Sequence, residues 1–315
     1  MTTLQEAINH YIAWQRLHGV KFVSGAYLLN SFCRCFAPDV ACDEVTTDQV
    51  IGFLAGSGPL TRSRATRYGA LAGFYRYAIS RQYASSSPLP TDEPPRPRSP
   101  PPYIFSHEEM KRIFGAIDES RRTAHKLDAE TFRTLLLVLY GTGLRRGEAI
   151  RLTLEDVNLT EAVLTVRDTK FNKSRTIPFG PQLHDALQTY AARRVARRMP
   201  AGMASTFLAN TDGSELTGST ARRAFAGLLS TAGLKAGDDG RRAPCLHSLR
   251  HGFAVNRVTS WYRQGADVQR LLPVLSAYLG HKDLNGTQIY LTMTPELLQE
   301  ASLRFEHYVH GDSHE

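Results

Sequence analysis

The sequence lacks the features that mark several large functional classes. No run approaches the ~20 apolar residues of a membrane span, and the polar start Met1–Ala7 does not resemble a signal peptide. There is no Walker loop, and no carboxylate cluster or Cys/His set offers a metal site. We therefore expect a cytoplasmic, nucleoid-associated protein without membrane contact, metal ion or cofactor. The cysteines lack zinc spacing and are expected to be free thiols: Cys33, Cys35, Cys42 and Cys245.

Length and charge point to two domains and a polyanionic partner. The chain has 315 residues, more than one domain usually holds, and 42% of them are hydrophobic. Its formal net charge is +8, which favours association with nucleic acid without determining the fold.

Residues 1–84 are predicted to form a helical bundle. Leu4, Ile8 and Ile12 recur at helical spacing, and a second helix is predicted over Ser24–Phe36. A capping box at Thr46–Gln49 begins a third helix. The fourth is predicted over residues 61–78, and its first turns carry three arginines: Arg62, Arg64 and Arg67.

These three arginines leave two readings open. Positive charge at the start of a helix opposes the helix dipole, so another reason for it is needed. Either the arginines contact phosphate, or they lie on a solvated surface without a specific role. The local sequence favours neither interpretation.

Residues 85–102 contain the clearest boundary, a proline-rich run from Ser85 to Pro102. Proline cannot continue a helix and favours extended conformations, so we expect a semi-rigid spacer. A docking peptide is the alternative, which the flanking domains disfavour. Residues 103–315 then form the second domain.

This second domain combines helices with a β-hairpin. A buried central helix is predicted over Asp128–Tyr140, after which glycines end the helix and Arg145 lies at a turn, with Glu148 one turn further on. Two β-rich runs, 162–167 and 174–179, form a hairpin whose tip carries Lys170. Such a lysine is usually solvated, but a mobile tip also suits a proton donor.

The last third contains the remaining chemical groups. His247 and Arg250 are three apart and share a helix face. His281 follows a glycine, and Tyr290 comes nine residues later on a predicted helical segment. An amphipathic helix from Thr294 is expected to pack on its own domain or to be donated to a neighbouring subunit.

Taken alone, Tyr290 is expected to be a half-buried core aromatic. A tyrosine hydroxyl, with a pKa near 10, attacks a phosphodiester only where cations stabilise the charge moving onto phosphate oxygens. The chain offers such a tyrosine together with side chains that would take the place of metal ions. The candidates are Arg145, Lys170, His247, Arg250, His281 and Tyr290.

These motifs, in this order, resemble a tyrosine recombinase of the phage integrase family. Thr142–Glu148 is similar to the family's first arginine motif, and Lys170–Phe179 to its β-hairpin with an active lysine. His247-Ser-Leu-Arg250 matches the His-x-x-Arg box, and Leu279-Gly-His281 with Tyr290 matches the last histidine and its spacing to the nucleophile.

The resemblance implies a mainly α fold: a SAM-like, core-binding helical bundle and a mixed α+β catalytic domain with a small β-sheet, ending in an exchange helix. The two domains would clamp double-stranded DNA, with contacts expected from Arg62, Arg64, Arg67, Lys173 and Arg175. Four protomers would assemble on paired sites through the C-terminal helix, with room for accessory DNA-bending or directionality proteins.

The resemblance also implies roles for the site residues. Tyr290 would form a 3′-phosphotyrosyl linkage without metal or ATP, and Lys170 would protonate the leaving 5′-oxygen. His247 would act as base or orienter, and Glu148 would support the pocket. Three residues would hold the non-bridging oxygens: Arg145, Arg250 and His281.

One departure from the family's pattern is the long interval between Arg250 and His281. It looks like the longer forms of this segment that are carried by some mobile elements. Two alternatives remain. A type IB topoisomerase would relax DNA through the same tyrosyl chemistry without exchanging partners. A DNA-binding regulator would keep the fold without catalysis.

Overall fold

The computed structural model describes residues 2–56, 62–91, 100–119, 127–167, 174–234, 242–281, 285–288 and 290. The chain divides into two compact units, Met1–Ser99 and Pro100–Glu315. The predicted spacer, residues 85–102, overlaps this division. None of the helices within the described ranges is both long and apolar enough to cross a membrane.

Among the described residues of the N-terminal unit, four α-helices pack around one core. They span Leu4–Leu17 (α1), Val23–Cys33 (α2), Thr47–Ala55 (α3) and Arg62–Ser80 (α4), with a 3₁₀ turn at Cys42–Glu44. The predicted capping box before α3 is confirmed, since Thr46 and Gln49 each accept a hydrogen bond from the other's backbone N–H. The core contains Ile8, Leu29, Phe32, Val50, Leu54 and Phe74.

The second helix is shorter than its sequence predicts. It ends at Cys33 rather than Phe36, and the chain turns there. Phe36 packs edge-on against Phe32, with ring centroids 4.9 Å apart. Phe36 is therefore apolar because it packs against Phe32 after the turn, although local periodicity assigned it to the helix.

The second unit contains eight α-helices among its described residues. They span His107–Glu119 (α5), Ala129–Thr142 (α6), Arg146–Ile150 (α7), Pro181–Ala196 (α8), Gly218–Thr231 (α9), Leu246–Arg263 (α10), Val268–Leu279 (α11) and Asn285–Gln288 (α12). The predicted buried central helix is α6, which packs against α8 and α10. Asp128 begins it by accepting hydrogen bonds from the N–H groups of Glu130 and Thr131.

A small antiparallel sheet lies beside these helices. Its strands, in spatial order, are Val157–Asn158 (β1), Val163–Val166 (β2) and Arg175–Pro178 (β3). Leu164 pairs with Ile177, and both are fully buried, so one face of the predicted hairpin packs on the core. β1 was not predicted because two residues carry no readable alternation. The hairpin tip, 168–173, lies outside the described residues.

A separate small core joins α10, α11 and Tyr290. Its buried members include Val258, Leu275, Leu279 and Tyr290 itself. Tyr290 is thus anchored by its ring in apolar packing, as its aromatic character predicts.

Candidate active site

The turn after α6 positions the first arginine of the site. The helix ends at Gly143, which has a left-handed conformation with φ +65°. A Cβ at this position would lie 2.6 Å from Cδ1 of Phe253 and 3.0 Å from Cδ2 of Leu279, so only glycine fits. Arg145 follows as the N-cap residue of α7. The close packing of α6, α10 and α11 therefore sets where this arginine lies.

Arg145 is held by hydrogen bonds to two other residues. Its Nη1 donates to Oε1 of Glu148 at 2.8 Å, and its Nη2 donates to the carbonyl oxygen of Gly280 at 2.6 Å. Its backbone N–H donates to Oε2 of Glu148 at 2.9 Å. The side chain is still 37% exposed. A guanidinium that is both fixed and accessible is suited to an anion of defined geometry.

Glu148 is a buried carboxylate that joins two arginines. Besides Arg145, it accepts hydrogen bonds from Nη2 of Arg175 at 2.8 Å and from Nη1 at 3.3 Å. Burial alone would raise the pKa of Glu148, but the hydrogen bonds from Arg175 and Arg145 hold it below its ordinary value. The carboxylate is therefore ionised and keeps both guanidinium groups in place.

Arg175, a candidate for DNA contact from the sequence, is engaged within the protein. Its side chain is 13% exposed, and its Nε donates to the carbonyl oxygen of Tyr278 at 2.9 Å. A Cβ at Gly280, where φ is +67°, would lie 2.8 Å from Nη1 of Arg175. Arg175 thus ties β3 to the end of α11, next to the backbone that binds Arg145.

Arg250 is the most deeply buried cation of the site, with 2% exposure. Its Nη1 donates to the carbonyl oxygen of Gly143 at 2.8 Å, and its Nη2 to that of Leu279 at 2.7 Å. Burial lowers the pKa of Arg250 to about 10, and repulsion from Arg145 acts in the same direction. The guanidinium still carries its charge at neutral pH, balanced in part by the carbonyl dipoles.

Two histidines lie one turn apart on α10. The rings of His247 and His251 meet edge to face, with centroids 4.6 Å apart. Burial lowers the pKa of His251 to about 3, and the neighbouring His247 and Arg250 add to this. The pKa of His247 is lowered to about 4, first by desolvation from the surrounding protein and then by repulsion from Arg250 and Arg145. His247 nevertheless remains accessible to solvent. Both imidazoles are therefore neutral at pH 7.

Tyr290 presents its hydroxyl to these groups from the small core. The residue is 1% exposed, and its Oη lies 3.3 Å from Nδ1 of His251. Burial raises the pKa of the Tyr290 hydroxyl, whereas Arg250 and Arg145 act in the opposite direction. The hydroxyl is therefore protonated in the free protein and lies beside charges that favour its ionised form.

His281 lies on the other side of the Tyr290 ring. The two rings are nearly parallel, with centroids 6.1 Å apart. Nδ1 of His281 lies 2.7 Å from Oγ1 of Thr287, a buried residue of α12. A Cβ at Gly286 would lie 3.3 Å from the imidazole, so this short helix passes close to it. These contacts fix the orientation of His281.

The structure brings together five of the six predicted catalytic residues, with Glu148. These five are Arg145, His247, Arg250, His281 and Tyr290. The sixth, Lys170, and the DNA-contact candidate Lys173 lie outside the described residues.

The other three DNA-contact candidates begin α4 in the N-terminal unit. Arg62 is its first residue, and nothing further is described of that side chain. Arg64 and Arg67 are partly buried, and Arg67 lies over the ring of Phe53 at 5.5 Å and donates to its carbonyl oxygen at 3.1 Å. Arg67 therefore has a packing role that the sequence did not indicate.

Sequence reasoning missed His251 and the internal role of Arg175. His251 is four residues after His247, which places both on one face of α10. This spacing was a readable signal. The pairing of Arg175 with Glu148 had no such signal, because it joins positions 27 residues apart.

The site can bind an anion and activate a hydroxyl beside it. Across the described part of the chain, no group of three or more His, Cys, Asp or Glu side chains is arranged to hold a metal ion. A cleft of about 530 Å³ opens beside the site, and its lining includes the neutral His247 and three arginines: Arg145, Arg146 and Arg222. Fixed cations next to a tyrosine hydroxyl are what tyrosyl phosphoryl transfer requires.

Comparison with known proteins identifies the family. Residues 104–296 match the Phage integrase family. The "Putative integrase/recombinase y4rB" of Sinorhizobium fredii (strain NBRC 101917 / NGR234) is 36% identical over 310 residues, covering 97% of this chain and 98% of that protein. The chain therefore belongs to the phage integrase family, and its predicted membership is confirmed.

Within that family the chain is a tyrosine recombinase, a class that cleaves and rejoins DNA at specific sites. The "Tyrosine recombinase XerD" of Staphylococcus haemolyticus (strain JCSC1435) is 27% identical, covering 84% of this chain and 82% of that protein. A lambda integrase tetramer bound to a Holliday junction has the same fold, with a TM-score of 0.66 and 19% identity over 90% of this chain and 78% of that one. The predicted mainly α fold with a small sheet is confirmed.

Proposed function

We propose that Tyr290 is the nucleophile of this recombinase and forms a 3′-phosphotyrosyl bond, releasing a 5′-hydroxyl end. The observation that carries the proposal is the packing of the Tyr290 ring beside His281, with the hydroxyl within electrostatic reach of Arg250 and Arg145. Burial raises the pKa of the hydroxyl, so its proton leaves only when a base accepts it as the oxygen attacks phosphorus.

The phosphate would lie between the fixed cations. Arg145, Arg250 and His281 would bind its non-bridging oxygens, and Lys170 would give a proton to the leaving 5′-oxygen. Glu148 would hold Arg145 in place, and His247 would act as base or orienter. No metal or ATP is needed, because the cations stabilise the transition state and the tyrosyl ester conserves the bond for rejoining.

The wider DNA contact and the assembly are also proposals. The basic cleft beside Arg145 would accept the DNA backbone, and the N-terminal unit would bind the other side of the duplex, with Arg62, Arg64, Arg67 and Lys173 as candidates. Four protomers would join on paired sites through the C-terminal helix, with accessory proteins setting direction. A double-stranded DNA substrate implies that the protein acts at the nucleoid.

The test is covalent capture. The protein and its Tyr290→Phe form would be incubated with DNA fragments from around its own gene and quenched in detergent, and the protein-bound ends would be sequenced. Tyr262→Phe is the matched control, since it removes the same hydroxyl from a different tyrosine, which is partly buried on α10. We expect an adduct at a discrete 3′ end from the wild type and the control only.

Three further outcomes would change the proposal. An adduct that survives Tyr290→Phe would mean that another residue is the nucleophile. A two-site DNA that yields only relaxed circles, without recombinant products, would identify a topoisomerase instead, and tight binding with no adduct on any fragment would indicate a regulator.

A further inference from the structure

We propose that His251 is the residue that receives the proton of the Tyr290 hydroxyl as the tyrosine attacks phosphorus. The inference rests on the proposed function and deepens it, because it assigns the base of the reaction and leaves His247 the orienting role.

The distance between the two groups is the first ground. Nδ1 of His251 lies 3.3 Å from Oη of Tyr290, and the ring centroids are 5.7 Å apart. A general base must lie within hydrogen-bond reach of the proton that it takes, and an unliganded site allows a slightly long bond. His281 instead lies nearly parallel to the tyrosine ring, with its Nδ1 against Thr287.

The arrangement on α10 supplies the second ground. Tyr290 is buried, His251 is partly buried and His247 is accessible, and the His247 ring meets the His251 ring edge to face. The Tyr290 hydroxyl donates to Nδ1 of His251 when that ring carries its proton on Nε2. His247, one turn away, restrains this ring by contact and so keeps Nδ1 directed at the hydroxyl.

Electrostatics explain when the transfer occurs. In the free protein, burial and then the charges of His247, Arg250, Arg242 and His281 disfavour protonated His251. A phosphate bound near Arg250 would offset this repulsion and raise the pKa of His251. The imidazole is therefore a weak base without DNA and a stronger one with DNA, so that the tyrosine is activated only over a substrate.

The atoms balance in this step. The O–H bond of Tyr290 breaks and its proton moves to Nδ1 of His251, while Oη forms the bond to phosphorus. The bond from phosphorus to the 5′-oxygen breaks, and Lys170 gives that oxygen a proton. Rejoining reverses both transfers, so His251 returns its proton to the tyrosine.

His251→Gln tests the assignment, because an amide accepts a hydrogen bond but does not take a proton at neutral pH. Single-turnover cleavage would be measured on two DNA substrates, one normal and one with sulfur as the 5′-bridging atom at the cut site. A thiolate leaves without needing a proton, so sulfur rescues defects of the acid and not of the base. His107→Gln, at the exposed start of α5, is the control.

We expect His251→Gln to slow cleavage about 100-fold or more on both substrates. Lys170→Ala should be slow on the normal DNA and rescued by sulfur. Cleavage by His251→Gln within about threefold of wild type, or its rescue by sulfur, would overturn the assignment. Failure of the wild type to form any adduct would instead refute the proposed function.

Folding is checked by thermal melting and DNA affinity, which should match the wild type. If the variant does not fold, the same assignment can be read from nitrogen-15-labelled histidine in the Tyr290→Phe protein bound to DNA. Nδ1 of His251 must then be unprotonated at neutral pH. A doubly protonated His251 ring would refute its role as the base.

Discussion

Arginines in the two units are held in different ways. In the second unit, which carries the active site and which we call the catalytic unit, main-chain carbonyls fix the guanidinium groups. Arg250 donates to Gly143 and Leu279, and Arg145 donates to Gly280. In the N-terminal unit, Arg67 contacts the ring and the carbonyl oxygen of one residue, Phe53, and the buried Nε of Arg64 has no hydrogen-bond partner among the residues described.

This difference separates two uses of positive charge. A guanidinium fixed by carbonyls before the substrate arrives needs little reorganisation, so it can stabilise charge that develops in a transition state. An arginine packed on a helix surface can contribute attraction to phosphates and adjust to them. We therefore expect changes in the first group to affect cleavage and changes in the second to affect DNA binding.

The largest effect is expected from Arg250→Lys. Lysine keeps a positive charge but loses one of the two carbonyl contacts and the planar geometry. Cleavage should fall about 100-fold or more, as when an oxyanion contact is lost, while DNA affinity changes little. Single-turnover cleavage and binding titrations would measure both. An equal loss in affinity and cleavage would contradict the division between the two groups.

Glu148→Gln should mainly reduce stability. The change leaves the partly buried Arg175 without a charged partner, which costs up to about 3–5 kcal/mol. Glu108→Gln is the matched control, because Glu108 pairs with Lys111 on an exposed helix surface, where such pairs contribute about 0–1 kcal/mol. Urea unfolding would compare the two. Similar losses would show that the Glu148 pairs do not support the catalytic unit.

Acid should destabilise the catalytic unit through its neutral histidines. The pKa values of His247 and His251 are lowered to about 4 and about 3, from an ordinary 6.5. The unfolded chain therefore binds more protons as pH falls below 6.5, and stability is lost in that range. For the partly buried His251, this loss is about 1–2 kcal/mol near pH 5.

Fluorescence can follow this loss in each unit. The two tryptophans lie one in each unit, so Trp14→Phe leaves Trp261 to report on the catalytic unit. The melting temperature of the catalytic unit should be lower at pH 5 than at pH 7, and this difference should be smaller in His251→Gln. An unchanged pH dependence in that variant would mean that His251 is not neutral in the fold.

The smallest effect is expected from Arg67→Ala. Losing the contact with the Phe53 ring should cost about 0.5–1 kcal/mol of stability. DNA affinity should weaken more at low salt than at high salt, while cleavage at saturating protein is unchanged. Urea unfolding followed by Trp14, in a Trp261→Phe background, and titrations at two salt concentrations would test this. A defect in cleavage at saturation would place Arg67 with the first group.

Several features of the site could be read from the sequence because they are local. Glycines at the end of α6 predict a turn, and the next arginine must lie at it. His247 and Arg250 share a helix face by spacing alone. The hydrogen bond between Tyr290 and His251 joins residues 39 positions apart, and no local periodicity predicts a contact over that separation.

The sequence by itself determined most of the elements and the family, because helix periodicity, caps and motif order are properties of neighbouring residues. Only the tertiary structure decided what each charged group does. Arg175 became an internal partner of Glu148 because β3 packs beside α11, and His251 became the nearest base because the small core draws Tyr290 against α10. Burial and distance set the charge state of these groups, and both depend on contacts between residues far apart in the chain.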